Sequence, residues 1–163
     1  MGQTEITAFH ESGHALAAYH FNRRIRAVKI NDEGGGMLYC KGVPHDARRK
    51  FPPEQRWRRL VKEECVICLA GPLAEQRFAD TDDPEAWSVD LLTVKRWLQE
   101  LEVDASIVAP ALTAITRRLI DEHWAAVSKL AARLIESGSV SGREVEALCR
   151  GIEVPRVVYA HHR

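Results

Sequence analysis

The sequence predicts a mainly helical α+β domain with a small β-hairpin or sheet beside its first helix. Three observations support this prediction. Apolar residues recur at helical spacing along most of the 163 residues. Two short alternating segments flank a glycine-rich turn, and no repeat, low-complexity tract or linker divides the chain. We therefore expect a single domain, with a core over residues 4–150 and a C-terminal tail over residues 151–163.

The first helix is predicted from about residue 4 to residue 21, and it contains a HExxH motif formed by His10, Glu11 and His14. Because positions i and i+4 share one helix face, the two imidazoles can point at one place, with the carboxylate beside them. Such a group is typical of a hydrolytic zinc site. Gly13 would let another segment approach closely behind the metal, or it merely permits tight helix packing.

Two short strands are predicted next. Residues 25–30 alternate apolar and polar side chains, and residues 37–40 form the returning strand after a turn at residues 33–36. The free edge of such a sheet can bind an extended peptide through main-chain hydrogen bonds, although the hairpin could instead only cover the core. The candidate substrate-binding residues are Gly35, Gly36, Met37, Leu38 and Tyr39.

The remainder of the chain is predicted to be helical. A helix begins near Pro52 and Pro53, where a missing N–H costs nothing, and Gly71 with Pro72 should kink or interrupt it. Further helices are expected at about residues 85–102, 110–136 and 142–150, a basic loop at residues 44–50, and a strand in the tail at residues 157–159.

Two acids are candidates for a third metal ligand. Asp90 lies near the N-terminal end of the helix at residues 85–102, where the helix dipole alone would also favour a carboxylate. Glu75 is its rival. Cys65 and Cys68 form a lone CxxC without the second pair that a structural zinc site would need, so we interpret them as small apolar residues on a buried helix face.

Composition and charge narrow the range of functions. Lys+Arg and Asp+Glu both number 23, so the formal net charge is zero, which argues against a general nucleic-acid binder. No apolar run approaches the ~20 residues that a membrane span needs, and no secretory signal is evident. We therefore expect a cytoplasmic protein without a membrane anchor in this chain.

The order of these segments resembles the peptidase domain of the FtsH proteases, which are zinc metallopeptidases. The similarity covers about residues 4–150. The region around the HExxH motif looks like the zinc helix of that family, and residues 69–75 are similar to its Gly-Gly-x-x-Ala-Glu helix. The segments that carry the resemblance are residues 7–15, 28–37, 69–75, 88–91 and 130–145.

The resemblance implies a helical zincin-type metallopeptidase domain. It implies that His10, His14 and Asp90 hold Zn²⁺, that Glu11 is the general base, and that Glu75 orients a histidine through its other ring nitrogen. The expected activity is that of an endopeptidase acting on unfolded or flexible proteins. A GxxxxGK[ST] loop and the AAA+ module of the family are missing from this sequence, so a separate ATPase in trans is a possible partner, and the oligomeric state stays open.

Two alternatives to an active FtsH-like peptidase remain at this point. One is a catalytically silent zinc-binding module with a regulatory or interaction role and the same fold. The other is a repressor-cleaving HExxH protein of a different family, which would share the motif but not the closing helices. The presence of Glu11 favours an active peptidase, because a pure binding module would not need a proton shuttle.

Overall fold

The computed structural model describes residues 2–31, 33–42 and 54–151. Within these ranges the chain is mainly helical, with one small three-stranded antiparallel sheet. The elements, in chain order, are α1 (Gln3–His20), β1 (Ile25–Ile30), β2 (Gly36–Cys40), α2 (Glu54–Ala79), α3 (Ser88–Glu100), α4 (Ala105–Glu122), α5 (Trp124–Ser137), β3 (Ser139–Ser141) and α6 (Gly142–Cys149).

Helix α1 lies at the centre of the fold, where it packs chiefly against α2 and α5 and also contacts the sheet. Its small side chains allow this close packing, since Ala8, Ala15 and Ala18 are fully buried. The α1–α2 crossing is close, because a Cβ atom added at Gly13 would lie 2.7 Å from the Cβ of Ala74. Gly13 therefore lets α2 approach the helix face that carries the histidines.

The sheet has the strand order β2-β1-β3, so β1 is central and β2 lies at an edge. Val28 of β1 pairs with Leu38 of β2 and with Val140 of β3, and it is fully buried. The two predicted strands are confirmed. Strand β3 was not predicted, because a three-residue strand is too short to show a period-two pattern.

Helix α2 runs through Gly71 and Pro72, so of the expected kink or interruption, the interruption does not occur. A proline inside a helix removes one N–H donor and crowds the carbonyl four residues earlier, which here belongs to Cys68. The neighbouring residues Leu73 and Ala74 are buried, and α2 packs against α1, α3 and α4. This tertiary packing maintains the helical course despite the local cost.

The prediction of one long helix over residues 110–136 is wrong, because two helices cover this region. Helix α4 starts earlier, at Ala105, where the Asp104 carboxylate accepts a hydrogen bond from the Ser106 N–H at 2.9 Å. It ends at Glu122, and the next residue, His123, separates it from α5 with a φ of −117° and a ψ of 24°. The apolar spacing continues across this break, so periodicity alone did not show it.

Several sequence-based expectations fall outside the described residues, namely the basic loop at residues 44–50, Pro52 and Pro53 at the start of α2, and the strand at residues 157–159. Of the two cysteines in the CxxC, Cys65 is buried and Cys68 is partly buried, and both are free thiols. Among the helices that the structure describes, none is both long and apolar enough to cross a lipid bilayer.

Candidate metal centre

Three side chains from two helices converge beside the α1–α2 crossing. His10 and His14 come from α1, and Asp90 comes from the first turn of α3. The two histidine Nε2 atoms are 3.0 Å apart, and the Asp90 carboxylate lies 3.2 Å from Nε2 of His10 and 3.6 Å from Nε2 of His14. In the part of the chain that the structure describes, these three residues are a group that could hold a metal ion.

The separations fit a tetrahedral metal site. Zinc binds nitrogen and oxygen ligands at about 2.0–2.1 Å, which places two ligands of a regular tetrahedron about 3.3 Å apart. The two Nε2 atoms, at 3.0 Å, and the pair formed by Nε2 of His10 and Oδ2 of Asp90, at 3.2 Å, are close to that value, while the other Asp90 oxygen, Oδ1, lies 3.6 Å from Nε2 of His14. Two nitrogens and a carboxylate are also ligand types that zinc accepts, and three protein ligands leave a fourth position for water.

The other ring nitrogen of each histidine is hydrogen-bonded to α2. Nδ1 of His10 lies 2.7 Å from a carboxylate oxygen of Glu75, and Nδ1 of His14 lies 2.7 Å from the main-chain carbonyl of Ile67. Both partners are acceptors, so each Nδ1 is assigned as the N–H donor, and in the neutral tautomer each Nε2 presents a lone pair towards Asp90. Partners of this kind orient metal-binding histidines.

The pKa values of His10 and Asp90 show that a positive charge is favoured between these side chains. Burial alone would lower the pKa of His10, but its hydrogen bonds to Asp90 and Glu75 outweigh this effect and raise the pKa to about 9. Burial likewise opposes ionisation of Asp90, yet the hydrogen bonds from His10 and His14 hold its pKa well below the usual range. A positive charge is thus strongly favoured at this place, and in the metal-free protein a proton supplies it.

Glu11 lies beside this group and is only 6% exposed. Burial raises the pKa of its carboxyl group, and the nearby His14 and His10 partly counteract that rise. The start of β2 covers it, because a Cβ atom added at Gly36 would lie 2.7 Å from Oε1 of Glu11. A buried carboxyl with a raised pKa holds a proton more readily than an exposed carboxyl does, which suits a group that accepts and then releases a proton during a reaction.

The bare backbone of Gly71 forms one wall of the centre. A Cβ atom added there would lie 2.7 Å from Nε2 of His10 and closer still to Nε2 of His14. With Ile67 and Glu75, this residue forms a stripe at four-residue spacing along α2, which faces both histidines. We refer to these three residues as the α2 stripe.

Sequence reasoning missed two members of the α2 stripe. Apart from its place in the family resemblance, Gly71 was interpreted as a helix breaker, although a glycine retained inside a helix costs about 1 kcal/mol relative to alanine and so indicates a close approach. The Ile67 carbonyl left no signal at all, because every residue carries one. Glu75 was expected to orient a histidine, and it contacts the ring nitrogen of His10 that faces away from Asp90.

The candidate substrate-binding residues lie on or next to the edge strand. Among the described residues, β2 pairs only with β1, so its other edge carries no strand partner. Met37 is 54% exposed and Tyr39 is 45% exposed, whereas Leu38 is partly buried on the opposite face. Gly35 precedes the strand in a turn, where its N–H donates to the Asn31 side chain at 2.7 Å.

Comparison with known proteins gives little further information. No protein-family model matches the chain. A tRNA 2-selenouridine synthase from Alcanivorax borkumensis is 25% identical over 131 residues, which are 79% of this chain and 30% of that protein. The chain therefore matches less than a third of the length of this relative, and at this identity and coverage the match does not establish a family.

Proposed function

We propose that the chain is a zinc-dependent endopeptidase that hydrolyses peptide bonds in unfolded or flexible proteins. The observation that carries this proposal is the convergence of His10, His14 and Asp90, close enough to share one metal ion, beside the buried Glu11. The hydrogen bonds from each Nδ1 to α2 support it, since they leave each Nε2 available for a metal. The fold would then be of the helical zincin type, as the resemblance to the FtsH peptidase domain implies.

The roles of the residues follow from their positions. His10, His14 and Asp90 would hold the ion, and a Zn²⁺ ion there would lower the pKa of water from ~15.7 towards 7 and would polarise the scissile carbonyl. Glu11 accepts a proton from the attacking water while the water oxygen bonds to the carbonyl carbon. Glu11 then delivers that proton to the amide nitrogen as the C–N bond breaks, so the products are two shorter peptides.

The edge strand supports a preference for extended substrates. A peptide can pair with the free edge of β2 only if its own backbone is extended and its main-chain groups are available. Because β2 begins beside Glu11, a peptide paired with its first residues would bring a peptide bond to the general base. A folded substrate would first have to be unfolded, and a separate ATPase acting in trans would meet that need.

The substitution Glu11→Gln tests the proposal. The wild-type protein, loaded with one zinc per chain, should hydrolyse an unstructured protein such as casein. The Glu11→Gln variant should retain its zinc and lose activity by about 10²–10⁴-fold, because it keeps the shape of the side chain and removes the base. Glu100→Gln is the matched control, since Glu100 is exposed at the end of α3.

The same experiment separates the peptidase from its alternative. If the zinc-loaded wild-type protein hydrolyses neither casein nor unstructured peptides, the chain is a catalytically silent zinc-binding module. If Glu11→Gln and Glu100→Gln retain the same activity, Glu11 is not the general base. Zinc content is measured by elemental analysis of the same samples that are used for the assay.

A further inference from the structure

A cluster of cations lies at the end of the sheet that is farther from Glu11. Arg24, Arg26 and Lys41 are exposed, and together with Cys40 they line a concavity of about 480 Å³. The Lys41 N–H donates to the Arg24 carbonyl at 3.1 Å, so these two residues are cross-strand neighbours. We call Arg24, Arg26 and Lys41 the basic cluster.

No carboxylate of the described residues is paired with the basic cluster. Its three side chains form no ion pair with a carboxylate in residues 2–31, 33–42 or 54–151. Glu64, whose charge acts on Cys40, already lies 3.7 Å from Arg23. Like charges placed opposite each other on neighbouring strands destabilise a sheet, so an anionic ligand would stabilise this arrangement.

The position of the basic cluster along β2 relates it to the candidate metal centre. Gly36 lies against Glu11 at one end of the strand, and Lys41 follows five residues later. At about 3.4 Å per residue, the two ends are about 17 Å apart. A peptide paired with the edge of β2 and placed at Glu11 would therefore reach the basic cluster four to five residues from the bond beside Glu11.

We propose that the basic cluster selects peptides that carry an acidic side chain about five residues from the cleaved bond. The distance to the cleaved bond in this inference rests on the proposed function. The preference for an acidic ligand rests on the basic cluster alone. Exposed ion pairs are worth little individually, but three converging cations in a concavity concentrate an anionic ligand more than one surface pair does.

An acidic peptide fits this surface better than a nucleic acid does. The basic cluster comprises three cations at one end of the sheet, contributed by β1 and β2 and the residues next to them, and the chain as a whole has a formal net charge of zero. Proteins that bind nucleic acids usually neutralise a longer row of phosphates, often about 6–10 contacts. A peptide strand needs only one acidic side chain at the correct distance from the metal centre.

Peptide binding to the zinc-loaded Glu11→Gln protein tests the inference without requiring cleavage. Fluorescence anisotropy compares two unstructured peptides that are identical except for Glu or Gln at both ends, so that either chain direction presents an acid. The Glu peptide should bind about fivefold more tightly at low ionic strength, and this advantage should shrink as salt is added. Equal binding of the two peptides, or no binding of either, overturns the inference whether or not the chain is a peptidase.

Matched triple variants show where the selectivity arises. Replacing Arg24, Arg26 and Lys41 with Gln should reduce the ratio of the two affinities to about one. The control replaces Arg96, Lys129 and Arg143 with Gln, which removes the same charge from exposed positions on α3, α5 and α6 and should leave the ratio unchanged. Loss of the preference in the control, or tighter binding of a single-stranded RNA oligonucleotide than of the Glu peptide, contradicts the proposal.

Cleavage by the wild-type protein supplies a positional test. Mass spectrometry of the products of peptides that carry one Glu at successive positions should place the cut four to five residues from the acid in the fastest substrates. A peptidase that cleaves all these peptides at equal rates would retain the proposed function and refute the selectivity.

Discussion

Replacing Gly71 with alanine should destroy zinc binding while leaving the fold intact. The new Cβ atom would lie 2.7 Å from Nε2 of His10, whereas non-bonded contacts of this kind are favourable at about 3.5–4.0 Å. The overlap is therefore about 1 Å, and it cannot be relieved by moving α2, because Gly13 already brings α1 and α2 into close contact.

The expected loss of zinc affinity follows from how little the ligand distances can vary in a metal site. Ligand distances in zinc sites vary by only about 0.2 Å, so a displacement of His10 or His14 by several tenths of an ångström removes a ligand. We expect the zinc affinity to fall by at least about 100-fold, since loss of a hydrogen-bonded partner alone costs 10–100-fold. The overlap should cost the metal-free protein about 1–3 kcal/mol, offset by about 1 kcal/mol of improved helix propensity.

A competition titration with a chromophoric chelator measures the zinc affinity, and circular dichroism with thermal unfolding monitors the fold. Gly42→Ala is the control, because among the described residues a Cβ atom there would come near only Oε1 of Glu64, at 3.4 Å. A Gly71→Ala protein that is folded and binds zinc as tightly as the wild type would refute the placement of the metal between His10 and His14.

Three further predictions concern the same centre. Asp90→Ala should weaken zinc binding by more than Glu75→Gln does, because Asp90 faces both Nε2 atoms whereas Glu75 contacts only Nδ1 of His10. Equal losses of zinc affinity in the chelator titration would contradict these assignments. Glu75→Gln, which keeps an acceptor oxygen but removes its charge, should weaken zinc binding by about 10–100-fold, and unchanged affinity would exclude this role. The pKa of His10 is raised to about 9 in the metal-free protein, so below that pH zinc must displace a proton from His10. The apparent affinity for zinc should therefore rise by up to about tenfold per pH unit and level off above pH 9. Calorimetry in buffers of different ionisation enthalpy measures the released proton.

The parts of the site that depend on local geometry were predictable from the sequence. His10 and His14 share a helix face because of their spacing, and Glu11 follows from the same motif. Strands β1 and β2 were also predictable, because alternation of side chains on both sides of a glycine-rich turn is a local signal.

The parts that depend on packing were not predictable in the same way. Asp90 meets the histidines only because α3 packs against α2, and its proposed role came from a family resemblance instead of a spacing rule. The continuity of α2 through Pro72 also depends on tertiary contacts, which outweigh the local preference for a break. The break between α4 and α5 depends on the backbone angles of His123 alone.

The α2 stripe has a consequence for how the two helices find their alignment during folding. Sliding α2 along α1 by one turn, about 5.4 Å, would bring the side chain of Ile67 or Glu75 to the wall that Gly71 now forms. Only one alignment of the two helices therefore leaves room between the imidazoles for an ion. A metal that binds there would stabilise the correctly aligned pair of helices relative to pairs shifted by one turn. It would therefore select the alignment of α1 and α2 in addition to serving as the centre for hydrolysis.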